Sequence, residues 1–458
     1  MPKTLAAVPR AVLLGVQLPG VTDVDHEGDL AELGRLVHTL GFEVVATVSQ
    51  KRNGLASRTV VGEGKLKELA KLTGGTGEIP SSAPDRTSKA REKWEAEEPE
   101  EEAEESEPEF DEEGDPTALA TVVVVDHELS PSQARNLERA TRAQVLDRTG
   151  VIVDIFHRHA KSREARMQVE IARLNYVAPR MREGAGTTER QQGRGAGDSQ
   201  LELDRRKVRD RIAELKEQLA VIHADQDQRR FARKDQQRVA LVGYTNAGKS
   251  SLMRALTGSE VLVADRLFAT LDTTVRAIQP ETRPRILVSD TVGFIKKLPH
   301  DLVASFKSTL DEALEASLLL HIVDISDASW EAQHEVTREV LAEIGAQGVP
   351  TQLVMNKVDR VEAAGGALAS LEARYPHAWF ISAHDRADVE RVHDLIVSFF
   401  EESYESAELV VPYDKQRLIS EMHEQGKVEE ERYEDNGVFV RFRADRQTID
   451  RVRSELAD

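Results

Sequence analysis

The stretch VALVGYTNAGKSSLMRAL, residues 239–256, reads as a buried strand, a glycine-containing turn and a helix. Within it, Gly243 to Ser250 satisfy the pattern G-x-x-x-x-G-K-S, in the strand–turn–helix setting that gives the pattern meaning. Each position has a chemical reason. Gly248 and its neighbours let backbone amides close around an anion with no side chain in the way. Lys249 offers an ammonium to β- and γ-phosphates, and the Ser250 hydroxyl suits Mg²⁺. Tyr244, Thr245, Asn246, Ala247 and Ser251 complete the phosphate-binding turn. A strand that feeds a helix through such a turn predicts an α/β fold with a doubly wound, mainly parallel sheet.

Three more segments, each at a predicted strand end, turn a phosphate site into a guanine nucleotide site. DTVG (290–293) follows the strand RILVS, so Asp290 can hold Mg²⁺ through water while the Gly293 amide meets the γ-phosphate, with Thr291 and Val292 between them. NKVD (356–359) follows the strand TQLVM. The Asp359 carboxylate can accept from two guanine donors that adenine does not present together, and Lys357 can lie over the base beside Asn356 and Val358. ISAH (381–384) places Ser382, Ala383 and His384 where backbone can support the guanine carbonyl. Four elements in this order predict a GTP site. FATLDTT (268–274) lies between them and offers Thr270, Thr273 and Thr274 as Mg²⁺ ligands that close only with GTP present; position alone does not choose among them. After Gly293, where a Ras-type GTPase carries a water-orienting Gln, this chain has Phe294.

Outward from the site, 458 residues suggest about three domains. An N-terminal α/β domain is expected over residues 10–160, from AVLLGVQL as its first strand to the cap-and-proline start SPSQARNLERAT at Ser130. It is interrupted at about 77–116 by an acidic insertion: residues 91–115 hold 15 Asp/Glu against 2 Lys/Arg, so most of the net charge of −20 sits there. Such a block cannot bury enough apolar surface to order itself. GEGK (62–65) opens a helix and reads as a loop glycine pair rather than an anion site. Over 161–234, Leu201, Val208, Ile212, Leu215, Leu219 and Ile222 face Met167, Ile171, Leu174 and Ala178 as the seam of an antiparallel helical hairpin, with Ser199 and Glu202 as a capping box. The hairpin loop carries five Gly with Arg190 and Arg194, beside Lys161, Arg163, Arg166, Arg182 and DRRKVRDR. This basic arm is either a solvated surface or a contact for RNA phosphates. The GTPase domain is expected over 236–402, and a small α+β domain over 405–458 in the order strand, helix, strand, strand, helix.

Cys is absent, which excludes disulfides, thiolate metal sites and Cys nucleophiles and fits a reducing cytosol. No apolar run approaches the ~20 residues of a membrane span.

The order of α/β domain, basic hairpin, GYTNAGKSSLMRAL, FATLDTT, DTVGFIKKLP and MNKVD resembles HflX-type GTPases of the TrmE–Era–Obg group, over nearly the whole chain. The resemblance implies that Thr270 is the Mg²⁺ ligand with Ser250, and that Phe268, Ala269, Thr270, Leu271 and Asp272 belong to the GTP site. It implies a cytoplasmic Mg²⁺-dependent GTPase, a monomer away from the ribosome, that binds the large ribosomal subunit and separates stalled or idle ribosomes under stress. Two features depart from the family: the acidic insertion, and GRGAGDSQLE where GPGETQLE is usual. An apolar residue at 294 matches the group, so the water must be held by other means. Lys249, Asn246 and Thr270 are the candidates for catalysis, with Asn246 standing where cation-dependent members hold K⁺. The alternative is a GTP-gated binding module with negligible hydrolysis.

Overall fold

The computed structural model describes residues 8–79, 119–181, 196–231, 236–258, 268, 274–297, 312–361 and 367–457. The acidic block at 91–115, the hairpin loop from 182 to 195, and Ala269, Thr270, Leu271, Asp272 and Thr273 lie outside the described residues. The chain divides into two compact units, Met1–Ile155 with Tyr176–Leu201, and Phe156–Asn175 with Glu202–Asp458.

In the first unit four parallel strands lie in the order β2-β1-β3-β4: β1 (Arg10–Gln17), β2 (Glu43–Lys51), β3 (Val122–Val125) and β4 (Gln144–Asp147). Helices α1 (Asp23–Thr39), α2 (Glu63–Thr73) and α3 (Pro131–Thr141) make the crossovers that parallel strands need. Local sequence sets their starts. Thr22 caps α1 by accepting from the Asp25 amide, and Ser130 and Gln133 form a reciprocal capping box before Pro131 of α3. Val12, Leu14, Val123 and Val125 point to one face and pack on Leu66, Leu69 and Leu137. Residues 77–79, within the stretch expected as the insertion at about 77–116, are described, and the Gly77 amide donates to the Ala140 carbonyl at 3.0 Å. Helix α4 (Arg148–His159) begins directly after β4. Its first residue, Arg148, is buried and bonded to Asp126 (2.8 Å) and Glu32, a triad that fixes the helix start.

In the second unit, α5 (Arg163–Val177) and the long α6 (Ala196–Phe231) carry the expected seam: Met167 and Ile171 pack with Leu215 and Leu219, flanked by Leu174, Ile212 and Ile222. Arg211 of α6 pairs with Glu170 of α5 (2.9 Å) beside that seam. A six-stranded sheet follows in the order β10-β9-β8-β5-β7-β6. Strands β5 (Gln237–Gly243), β7 (Ile286–Asp290), β8 (Leu318–Asp324), β9 (Thr351–Asn356) and β10 (Trp379–Ile381) are parallel, and β6 (Thr274–Ala277) is the antiparallel edge. Successive residues of β5 face opposite ways. Val239 and Leu241 join the core with α7 (Lys249–Thr257) and α10 (Arg386–Glu401), whereas Ala240 and Val242 join that with α8 (Trp330–Glu343). Helix α9 (Ala367–Arg374) covers β9 and β10 through Leu368 and Leu371. The fold is thus the predicted α/β one, with a doubly wound, mainly parallel sheet. The chain ends as β11 (Glu405–Val411), α11 (Arg417–Gln425), β12 (Lys427–Glu434), β13 (Gly437–Ala444) and α12 (Arg446–Ala457), an antiparallel sheet in the order β11-β13-β12 with its core under the helices.

Candidate nucleotide site

Ligands of open α/β sheets sit beyond the carboxyl ends of the strands. At the end of β5 the chain turns at Gly243, with φ +149°, where an added Cβ would lie 2.2 Å from the Ile322 carbonyl oxygen. Gly248, at φ +100°, is equally constrained: its Cβ would meet the Asn356 amide nitrogen at 2.1 Å. Asn246 also adopts a positive φ (+62°) and is exposed. The turn can close this tightly because its glycines carry no side chains.

Lys249 starts α7 and is buried. Its ammonium donates to the carbonyls of Gly243 (3.0 Å) and Tyr244 (2.7 Å), so it is held inside the turn. Burial pushes its pKa down to about 8, and the charge of Asp290 opposes that shift. The Ser250 hydroxyl donates to Asp290 at 2.6 Å. A buried carboxylate beside a hydroxyl is a pair of hard oxygen donors, the set that suits Mg²⁺. Thr291 faces away and donates to the Leu241 carbonyl (2.7 Å). Val292 is buried, and the backbone of Gly293 passes so close that a Cβ would lie 3.0 Å from the Lys249 ammonium.

Phe294 has a structural assignment. Its amide donates to Gly243 (3.1 Å) and its carbonyl accepts from Thr245 (2.8 Å), latching this segment to the phosphate turn. Its ring is 2% exposed and packs with Ala240, Val242, Ala313 and Leu319. A second latch comes from Tyr244, whose phenol oxygen accepts from the Lys296 amide at 2.7 Å.

On the other side, Asn356 joins two loops. Its amide nitrogen donates to the Ala247 carbonyl (2.8 Å) and its amide oxygen accepts from the Ala383 amide (3.1 Å). Lys357 forms an ion pair with Asp324 (2.6 Å) at the end of β8. Asp359 is exposed, and the Ser382 hydroxyl beside it holds its carboxyl below the usual range. The Ser382 amide donates to Asp388 (2.7 Å), and the His384 amide donates to the Ser382 hydroxyl (3.3 Å). Val358 packs with Met355 beneath the loop. The strand ends therefore gather the predicted residues 243–251, 290–293, 356–359 and 382–384 around one face. Phe268 is described and buried; the rest of its predicted segment through Asp272 is not described.

Sequence reading missed Asp324 and the hydroxyl of Tyr244. Asp324 had a signal, since it ends an apolar strand just as Asp290 does. Tyr244 had none, because its partner is a backbone amide brought near only by folding.

Residues 27–78 and 112–157 match the family described as GTP-binding GTPase N-terminal, 159–233 the GTP-binding GTPase Middle Region, and 238–357 the 50S ribosome-binding GTPase family. The chain is 61% identical over 455 residues to a GTPase HflX of Gluconacetobacter diazotrophicus, covering 99% of each chain. It is 36% identical to GTPase HflX of Escherichia coli (93% of this chain, 91% of that one) and 34% identical to that of Caldanaerobacter subterraneus (97% and 93%). Among the described residues no helix is long and apolar enough to cross a membrane. With a phosphate turn, an acidic strand end, a guanine-side loop and full-length relatives in agreement, the chain binds GTP and belongs to the HflX family of GTPases.

Proposed function

We propose that this protein is a Mg²⁺-dependent cytoplasmic GTPase that binds the large ribosomal subunit and separates stalled or idle ribosomes. The observation that supports it most is the full-length similarity to GTPase HflX, together with the match of residues 238–357 to a family described as ribosome-binding. In this reading Asp359 reads the guanine edge. Asn356 keeps the guanine side and the phosphate turn in register through its bonds to Ala383 and Ala247. Lys249 exchanges its carbonyl partners for phosphate oxygens, which restores its full charge. Ser250 and Thr270 would be the oxygen donors for Mg²⁺, with Asp290 holding it through water, and the ion would neutralise charge on the phosphates. Asn246 is the donor for K⁺.

The buried ring of Phe294 bears on hydrolysis, because a side chain held in the apolar core orients no water. Intrinsic turnover is therefore slow, and the ribosome supplies what positions the water. That same observation favours the second reading, a GTP-gated binding module with negligible hydrolysis. Sedimentation with large subunits in GDP against a non-hydrolysable GTP analogue tests the partner, with GTP-dependent co-sedimentation expected. Multiple-turnover hydrolysis with and without subunits separates the readings: stimulation supports the enzyme, and no turnover in either case supports the module.

A further inference from the structure

The ion pair between Lys357 and Asp324 differs from an ordinary surface pair. Its side chains are only 13% and 12% exposed, and the ammonium lies 2.6 Å from one carboxylate oxygen. The other carboxylate oxygen accepts from the Ser326 amide (3.0 Å) and hydroxyl (2.6 Å), so Asp324 is held in one orientation. On the lysine side φ is +65°, a left-handed backbone uncommon outside glycine. The Asn356 side chain just before it is tied to Ala247 and Ala383, which keeps that backbone in place. An exposed pair contributes little, because water competes for both charges; a mostly buried one decides where a long side chain lies.

Sheet register shows where that is. Asp324 ends β8, Asn356 ends β9, and the two are partners in neighbouring parallel strands. Lys357 leaves β9, and its ammonium returns to the end of β8. Its methylene stem therefore crosses one interstrand gap, ~4.8 Å, along the carboxyl ends of the sheet, where ligands of such sheets sit. Asp359 stands two residues further on, and Ala383 is bonded to the same loop through Asn356. We infer that Asp324 is a positioning residue for the purine ring: it pins the Lys357 ammonium so that the methylene stem lies as one wall of the base site. The pair also neutralises the ammonium, which leaves the wall apolar. This rests on the reading of residues 356–359 as the guanine loop. It assigns Asp324 to base binding, in GDP and GTP alike, and not to phosphate or metal.

The experiment uses the full chain with Asp324→Asn, Lys357→Ala and the double variant. Its probes are fluorescent GDP, a fluorescent non-hydrolysable GTP analogue, and inorganic tripolyphosphate as a displacing ligand that has no base. Asp324→Asn keeps the shape and an acceptor for Ser326 but loses the charge. The expected result is about tenfold weaker binding of both fluorescent nucleotides, the size of one charge-assisted hydrogen bond, with tripolyphosphate affinity within about twofold. Lys357→Ala weakens both nucleotides at least as much, and adding Asp324→Asn to it costs nothing further, because the carboxylate acts through the lysine. A carboxylate that merely holds the loop together gives a different pattern: tripolyphosphate binding falls as far as nucleotide binding, or the two losses add. Either pattern, or unchanged nucleotide binding by Asp324→Asn, overturns the inference. If Asp324→Asn melts below the assay temperature, Ser326→Ala decides, since Ser326 is exposed and its hydroxyl orients the same carboxylate. A loss of about threefold confined to the nucleotides supports the inference there, and no loss overturns it. Asp359→Asn is the control. If it leaves the preference for guanine over xanthine nucleotides unchanged, the guanine-loop reading has failed; a shifted preference beside normal binding by Asp324→Asn means that only the role of Asp324 has.

Discussion

Asp359 is exposed beside Ser382, free of the core, so its substitution probes recognition rather than folding. Asp359→Asn is expected to weaken GTP binding by about tenfold or more, since hydrogen bonds to a charged group are worth ~1.5–3 kcal/mol. It should also admit xanthosine triphosphate, to whose exocyclic C2 carbonyl oxygen an amide can donate and which a carboxylate repels. Competition binding with both nucleotides checks this, and an unchanged preference for GTP would remove Asp359 from base recognition. His321 gives a residue-scale prediction about pH. It lies on β8, buried at 2% exposure, stacked on His334 of α8 with centroids 4.7 Å apart. Burial pushes its pKa down to about 3, and His334, Lys249 and Arg338 push the same way. The folded chain holds this ring neutral while the unfolded chain protonates it below its ordinary value of 6.5. Its stabilising contribution is therefore whole above that value and is lost as pH falls toward 3, at up to about 1.4 kcal/mol per pH unit. Urea unfolding at neutral and mildly acid pH should show this slope, and His321→Leu should flatten it; an identical slope in the variant would show that other groups set the acid sensitivity.

At the scale of elements, the segment after β7 is pinned to the phosphate turn by backbone bonds from both sides of Phe294 and by the Tyr244 phenol. Phe294→Gln puts an amide where a ring fills an apolar pocket. It should cost ~1–3 kcal/mol of stability, read as a lower melting temperature, and leave intrinsic hydrolysis no faster. A clear gain in turnover would mean that the side chain can leave the core and reach the water. The hairpin of α5 and α6 allows a separate test. Leu215 is 1% exposed at the centre of the seam, so Leu215→Ala should destabilise the hairpin by ~2–5 kcal/mol, measured by hydrogen exchange along both helices. Replacing residues 184–197 with a neutral Gly/Ser linker should instead spare stability and intrinsic hydrolysis but impair stimulation by large subunits. Full stimulation after that replacement would make the arm a solvated surface.

For the whole molecule, the expectation is slow turnover by the isolated protein and stimulation by large subunits. A group supplied in trans contributes on the order of 10³–10⁵ in rate in well-studied GTPases. Replacing K⁺ with Na⁺ should slow hydrolysis, and Asn246→Ala should erase that difference; fast turnover indifferent to both would locate the water-holding group elsewhere in the chain. The sequence by itself determined the α/β class, the order of the nucleotide segments and the hairpin seam. These depend on short-range regularities: a strand that ends in a phosphate turn, an acidic residue at a strand end, a period near 3.5 along a helix. Only the tertiary structure decided where particular side chains go. Phe294 fills the core, Asn356 ties Ala247 to Ala383, Lys357 pairs with Asp324, and Phe268 rests on Phe156. Each of these contacts joins segments distant along the chain, so the face a residue presents depends on strands and helices that no local pattern specifies.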